Sequence, residues 1–374
     1  MLDPRVTQLA TLLCEHSTQL IADDTLLIHA FDMPAKAVAE VARVAQTKGA
    51  KVVVRLESNI VRRQLMLGMT QTNAEIIAEV EKYEMERMTA YIALRGSHNY
   101  AEQSDVPDAI QNMWTSTYVQ PVVFGVRVPK TKWVALVWPT SSMAQQAGVS
   151  TQAFEDFYFK VCTLDYPRMR KASEPLMELI GKTNDVRVTG PGTDLKFSIA
   201  GLGAESCSGD RNIPDGECYT APVRESMEGT ISYNTVSLNQ GVEFKNIVFK
   251  VQKGNIVEAE AGPNTAKLNE ILDTDEGARY FGEFSFGYNP HILHPMKNTL
   301  FDEKIAGSFH LTPGNAYPGI ADNGNKSAVH WDLVNIQRPD YGGGEIWFDG
   351  RLIRKDGLFV VPELAGLNPD QLSR

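Results

Sequence analysis

Residues 24–58 read DTLLIHAFDMPAKAVAEVARVAQTKGAKVVVRLES, and their grammar sets the fold of the first half of the chain. Asp24–Phe31 is an apolar run of strand length, as a buried strand requires. Pro34–Gly49 then carries Ala and Val at helical spacing and closes on Lys48-Gly49, a stop signal. Lys51–Ser58 returns to β-branched residues and reads as a second strand. A strand, a helix and a strand in this order form a unit with parallel strands, because the helix carries the chain back to the starting end of the sheet.

The same alternation extends outward. Residues 5–20 and 72–88 have helical spacing, and Thr89–Gly96 and Trp133–Pro139 supply a third and a fourth strand. From Thr151 to Thr183 apolar and acidic residues alternate at helical period, in one or two longer helices, with Arg168, Arg170 and Lys171 as a solvated face. The first half is therefore predicted to be an α/β domain with a mostly parallel sheet, over residues 1–185. Near Asn184 the pattern changes to short strands punctuated by Gly, Pro or Asn every eight to twelve residues, as in DVRVTGPGTDLKFSIAG. That predicts a mostly antiparallel β (α+β) domain over residues 186–374, interrupted by one helix at Asn264–Arg279.

Bulk properties exclude several classes. A chain of 374 residues can bury more than one core. Its net charge of −10 and scattered Lys and Arg leave no basic stripe for nucleic acid. No apolar run reaches the roughly 18 residues of a membrane span, and the N-terminus reads as an amphipathic helix rather than an export leader. Cys14, Cys162, Cys207 and Cys218 form no C-x-x-C pair, which fits reduced thiols and a cytoplasmic location.

The residue types that carry chemistry gather in the second half. His291, His294, His310 and His330 fall in one stretch, and Glu217 sits at the exit of a Pro-Asp-Gly turn. In a strand, as this stretch reads, His330 and Asp332 would project to one face and Trp331 to the other. Imidazole with carboxylate is the donor set of a hydrolytic zinc, cobalt or manganese site. Glu217, Glu283, Glu303, His310, His330 and Asp332 contain enough acid to offset two divalent ions. The plainer readings are a surface ion pair for Glu303-Lys304 and a loop for His291 and His294, which lie between Pro290 and Pro295. Ile180-Gly-Lys-Thr lacks the upstream Gly of a phosphate loop, GLGAES lacks the third Gly of a dinucleotide fingerprint, and GGGE at 342–345 is a turn.

Four segments in series carry a resemblance: NIPDGECYTAP (212–222), GEFSFGYNP (282–290), LFDEKIAGSFHLTPGNAYP (300–318) and VHWDLV (329–334). Their order and gaps resemble the metallo-aminopeptidases of the aminopeptidase T and aminopeptidase S type. The resemblance implies two divalent metal ions held by Glu217, Glu283, Glu303, His310, His330 and Asp332. It also implies Glu283 or Glu303 as general base and Tyr317 as a donor near the reacting carbonyl. Short peptides would be the substrates and a homodimer the assembly. A related branch of the same architecture contains iron-dependent ring-cleaving dioxygenases, for which His310, His330 and Asp332 would form a mononuclear Fe(II) triad.

Overall fold

The computed structural model describes residues 3–239 and 241–373. The chain packs into two compact units, Met1–Thr163 with Gly209–Pro214, and Leu164–Ser208 with Asp215–Arg374.

In the first unit five strands lie in the order Lys51–Glu57, Thr25–Phe31, Ala90–Arg95, Lys132–Val137 and Asn212–Ile213, all parallel. Burial explains their composition. Thr25–Phe31 and Ala90–Arg95 are interior strands and almost continuously apolar, whereas the edge strand Lys51–Glu57 is largely exposed. The helix Ala35–Thr47 buries Val38, Val41, Val44 and Ala45, the stripe expected from its period. The first helix spans Pro4–Leu12 and widens into a looser turn at Leu13–Ser17. The helix expected over 72–88 runs from Gln71 to Met85. Further helical stretches, Asn59–Leu67, Asp108–Trp114 and Thr115–Arg127, were not expected from the sequence: the first buries only Met66, the second buries no residue, and the third carries Pro121 inside it.

In the second unit the helix Tyr166–Ile180 precedes two large antiparallel sheets and a two-stranded one, Ser237–Asn239 with Val242–Phe244. The larger has eight strands and includes Asp185–Gly190, Thr193–Ser198 and Glu345–Phe348. The smaller has the order Leu333–Ile336, Ser308–Pro313, Phe281–Gly287, Glu217–Thr220 and Glu205–Cys207. Phe284 and Phe286 point from one face of the smaller sheet to Phe197 and Phe348 of the larger, with ring centroids 5.0 and 6.0 Å apart. That aromatic layer is the core of the unit. The helix expected over Asn264–Arg279 spans only Thr265–Leu272; beyond it the chain passes close to the Lys326 backbone, where a Cβ at Gly277 would lie 1.9 Å from the Lys326 carbonyl oxygen.

Candidate metal centre

Strand alternation decides which side chains meet. In Phe281–Gly287, sequence FGEFSFG, Phe284 and Phe286 enter the core while Glu283 and Ser285 face the other way. Register then aligns the neighbours: Gly287 lies opposite Glu217, Ser285 opposite His310, and Glu283 opposite Thr312. Three adjacent strands thus present Glu217, Glu283 and His310 on one face. His330 and Asp332 come from the approach to the fourth strand, which begins only at Leu333. They are not in a regular strand, as the sequence suggested, but a single bridge from His330 to Gly314 keeps the chain extended. Both side chains reach the cluster, and Trp331 turns away to pack on Phe244.

Two groups of donors result. Glu217, Glu283 and His310 form one and Glu283, His330 and Asp332 the other, with donor atoms in each group within 4.8 Å of one another. Glu283 is common to both. His310 Nε2 lies 3.0 Å from Glu283 Oε1 and 3.4 Å from Glu217 Oε2. His330 Nε2 lies 3.5 Å from Glu283 Oε2 and 3.2 Å from Asp332 Oδ1. Donors about 2.05 Å from a tetrahedral zinc stand about 3.3 Å from each other, so these spacings fit a shared cation. His330 Nε2 supplies a second test. It is buried and makes no aligned hydrogen bond, although two carboxylates face it. An imidazole nitrogen aimed into an acidic cluster without a proton partner is suited to a metal ion.

The surrounding groups hold the donors in place. His330 Nδ1 is 2.8 Å from the Asn315 carbonyl, and His310 Nδ1 is 3.3 Å from the Glu303 carbonyl. Ser285 Oγ donates to Glu217 Oε2 and Thr312 Oγ1 donates to Asp332 Oδ1. The Tyr288 hydroxyl donates to the Glu217 carbonyl, and Asn289 Nδ2 donates to the Asp215 carbonyl, which pins the Pro-Asp-Gly-Glu corner.

Glu303 sits differently. Its carboxylate joins neither donor group and contacts the Lys304 ammonium. Lys304 is no surface residue: it is wholly buried, 3.2 Å from Glu217 and 3.9 Å from Asp215. Cys207, Asp215 and Glu217 also bring donor atoms together, but the Lys304 ammonium already supplies positive charge on that side. Tyr317 borders the cluster, 46% exposed, with its ring 4.6 Å from that of His330 and 5.8 Å from that of Tyr219. His291 and His294 join neither donor group; His294 Nδ1 lies 3.3 Å from the Tyr341 hydroxyl.

Charge is concentrated here in a dry setting. Burial pushes the Glu283 carboxyl up against the pull of His310, and burial pushes Glu303 well up against the pull of Lys304. Burial alone would lower His310 and His330, yet Glu283 and Glu217 around the first, and Asp332 beside the second, push each imidazole up to about 10. Burial also opposes ionisation of Asp332, but His330 and His310 hold it below the ordinary carboxylate range. Burial works against the Lys304 charge as well, and Glu217, Glu303 and Asp215 outweigh it.

Residues 2–345 match the family described as thermophilic metalloprotease (M29). The chain belongs to this family. Curated relatives of this M29 chain include aminopeptidase T of Thermus thermophilus, 32% identical over 200 residues, covering 46% of this chain and 48% of that protein. Aminopeptidase 2 of Geobacillus stearothermophilus is 34% identical over 178 residues, 42% of this chain and 40% of that one. The M29 chain thus spans about half the length of the curated relatives it matches. Among solved structures, wild-type AmpT from Thermus thermophilus superposes with a TM-score of 0.81 at 20% identity, over 96% of this chain and 99% of that one. A 2,5-dihydroxypyridine dioxygenase from Pseudomonas putida KT2440 gives 0.62 at 14% identity, over 98% and 99%. Both likenesses establish the shared fold.

Sequence reasoning on this M29 chain missed Lys304 as a buried counter-ion, and Ser285, Thr312 and Asn315 as partners of the donors. For Ser285 and Thr312 a signal existed, since both stand two residues from a candidate ligand on the same strand face. Asn315 is placed by Gly282. A Cβ at Gly282 would lie 2.2 Å from the Asn315 carbonyl oxygen, so only glycine lets this backbone approach and orient His330. Gly282→Ala is expected to weaken divalent-metal binding by about 10–100-fold through misplacement of His330. Competition with a chromogenic chelator measures it, and wild-type affinity in the variant would refute this role.

Proposed function

We propose that this chain is a metal-dependent aminopeptidase that removes the N-terminal residue of short peptides. The observation that carries the reading is the pair of donor groups sharing Glu283. Two divalent ions held there, zinc, cobalt or manganese, would supply Lewis acidity and a water of lowered pKa. Glu303, half-buried and outside both groups, is the general base: its carboxylate takes a proton from the attacking water and returns it to the leaving amine. The Lys304 ammonium holds the Glu303 carboxylate in position during both transfers. The Tyr317 hydroxyl, at the rim, donates to the developing oxyanion, a contribution of roughly 3 kcal/mol in comparable sites. Thr312, Ser285 and the Asn315 carbonyl keep Asp332, Glu217 and His330 aligned, which limits the ordering cost of substrate binding.

The acid content favours hydrolysis over a single ferrous ion. His310 belongs with Glu217 and Glu283, while His330 and Asp332 belong with Glu283, so an iron triad of His310, His330 and Asp332 would leave two carboxylates uncompensated. Four unpaired cysteines, three of them buried, support a reducing compartment and so a cytoplasmic location. Among the described residues no helix is long and apolar enough to cross a membrane. A homodimer remains part of the proposal, on the family resemblance.

The test is turnover of aminoacyl p-nitroanilides by purified protein after chelation and after return of Co²⁺, Mn²⁺ or Zn²⁺. The expected outcome is loss of activity on chelation, recovery on reloading, and two metal ions per chain by elemental analysis. One iron per chain with oxygen consumption on a dihydroxypyridine would overturn it.

A further inference from the structure

The first unit contains a site that peptide hydrolysis at the acidic cluster does not use. In its parallel sheet the strand order reverses between Thr25–Phe31 and Ala90–Arg95: the chain leaves the first toward Lys51–Glu57 and the second toward Lys132–Val137. Open parallel sheets bind ligands in the crevice beyond the carboxyl ends of such a strand pair. Here the two departing segments are drawn unusually close. A Cβ at Gly96 would lie 2.8 Å from the Asp32 carbonyl oxygen, and Asn59 Nδ2 donates both to Asp32 Oδ2 and to the Gly96 carbonyl.

A cavity of about 600 Å³ opens at this point. Its lining holds three guanidinium groups, Arg62, Arg95 and Arg127, against one acid, Glu102. Arg127 is 7% exposed, with its guanidinium 4.0 Å from the Tyr91 ring centroid and Nη2 3.3 Å from the Tyr118 hydroxyl. Its Nε is buried without a hydrogen-bond partner. Such an orphaned donor on a charged group costs free energy unless something fills the position.

The acids nearby are already engaged. Glu57 lies 2.8 Å from His29 Nε2 and 3.8 Å from Arg62, while Glu81 pairs with Arg55 at 2.6 Å and accepts from Tyr118. Neither Arg95 nor Arg127 forms an ion pair among the described residues. The cavity therefore gathers three guanidinium groups beside the aromatic rings of Tyr91 and Tyr118, the side-chain chemistry that recognises planar or tetrahedral oxyanions.

We infer that this cavity is a binding site for a small metabolite bearing an oxyanion, phosphate or carboxylate, held by Arg62, Arg95 and Arg127. Its volume suits a molecule of ordinary metabolite size. The site rests on residues of the first unit alone and stands or falls independently of the peptidase reading.

Calorimetric titration of the full chain with inorganic phosphate and, separately, with succinate tests it, at ionic strength held constant with sodium chloride. The expected result is one saturable event with at least one of the two anions, and the preferred anion names the head group. Affinity should fall about tenfold or more in Arg95→Gln and in Arg127→Gln, the equivalent of one charge-assisted hydrogen bond. It should persist in Asp332→Asn, which alters only the acidic cluster of the other unit. Arg95 is exposed, so its variant remains informative even if Arg127→Gln fails to fold. No saturable event with either anion, or wild-type affinity in Arg95→Gln, would overturn the proposal.

Discussion

Glu283→Gln is expected to lower kcat/KM on aminoacyl p-nitroanilides by roughly a thousandfold or more, since several kcal/mol of transition-state stabilisation pass through the metal pair. The reason is topological rather than local. Glu283 is the one donor common to both groups, with Oε1 3.0 Å from His310 and Oε2 3.5 Å from His330. An amide keeps the volume but loses the negative charge, and it presents an N–H₂ to one of the two positions. Both metal positions should therefore weaken together, and elemental analysis should find well under two ions per chain. The larger aromatic layer of Phe284 and Phe286 lies on the opposite face of the strand, so the circular-dichroism spectrum should not change. A variant that keeps two ions and full turnover would remove the basis for a shared carboxylate.

Lys304→Met should produce the largest loss of stability. The ammonium is wholly buried among Asp215, Glu217 and Glu303, and a Met side chain fills the space without the charge. Asp215, Glu217 and Glu303 would then lose the cation that faces all three. Removing one partner of a buried ion pair typically costs about 3–5 kcal/mol. The variant's urea midpoint should fall accordingly, and turnover should fall with it because Glu303 loses the contact that positions it. An unfolding midpoint equal to that of wild type would show that the ammonium does not balance the acids.

These expectations show how unevenly the site was written into the sequence. Glu217, Glu283, His310, His330 and Asp332 could be picked out by type and by the order of four short segments. Nothing local linked them in two groups. Which donors share Glu283 depends on strand register, and register depends on pairing between segments separated by dozens of residues. The Glu303-Lys304 dipeptide carried a misleading signal, because adjacent opposite charges are common on surfaces. Only the packing of the Pro-Asp-Gly-Glu corner against the Glu303 helix end turns Lys304 inward. Helix limits were similarly divided. The stripe of Ala35–Thr47 was legible because it buries one face on a sheet, whereas Asn59–Leu67 buries only Met66 and leaves Ile60, Val61 and Leu65 exposed.

By itself the amino-acid sequence determined the local grammar: parallel strands linked by amphipathic helices first, short antiparallel strands afterwards, and a set of acids and imidazoles in the second half. Those features are legible because period, turn residues and side-chain chemistry act over a few positions. Tertiary structure alone decided that the chain returns to the first unit at Asn212–Ile213 before entering the Glu217 strand, and that Tyr166–Ile180 belongs with the second unit although it precedes the first antiparallel strand. It also decided that three arginines distant in sequence line one cavity. Such choices depend on the summed burial and pairing of remote segments, a free energy that no short window of sequence contains.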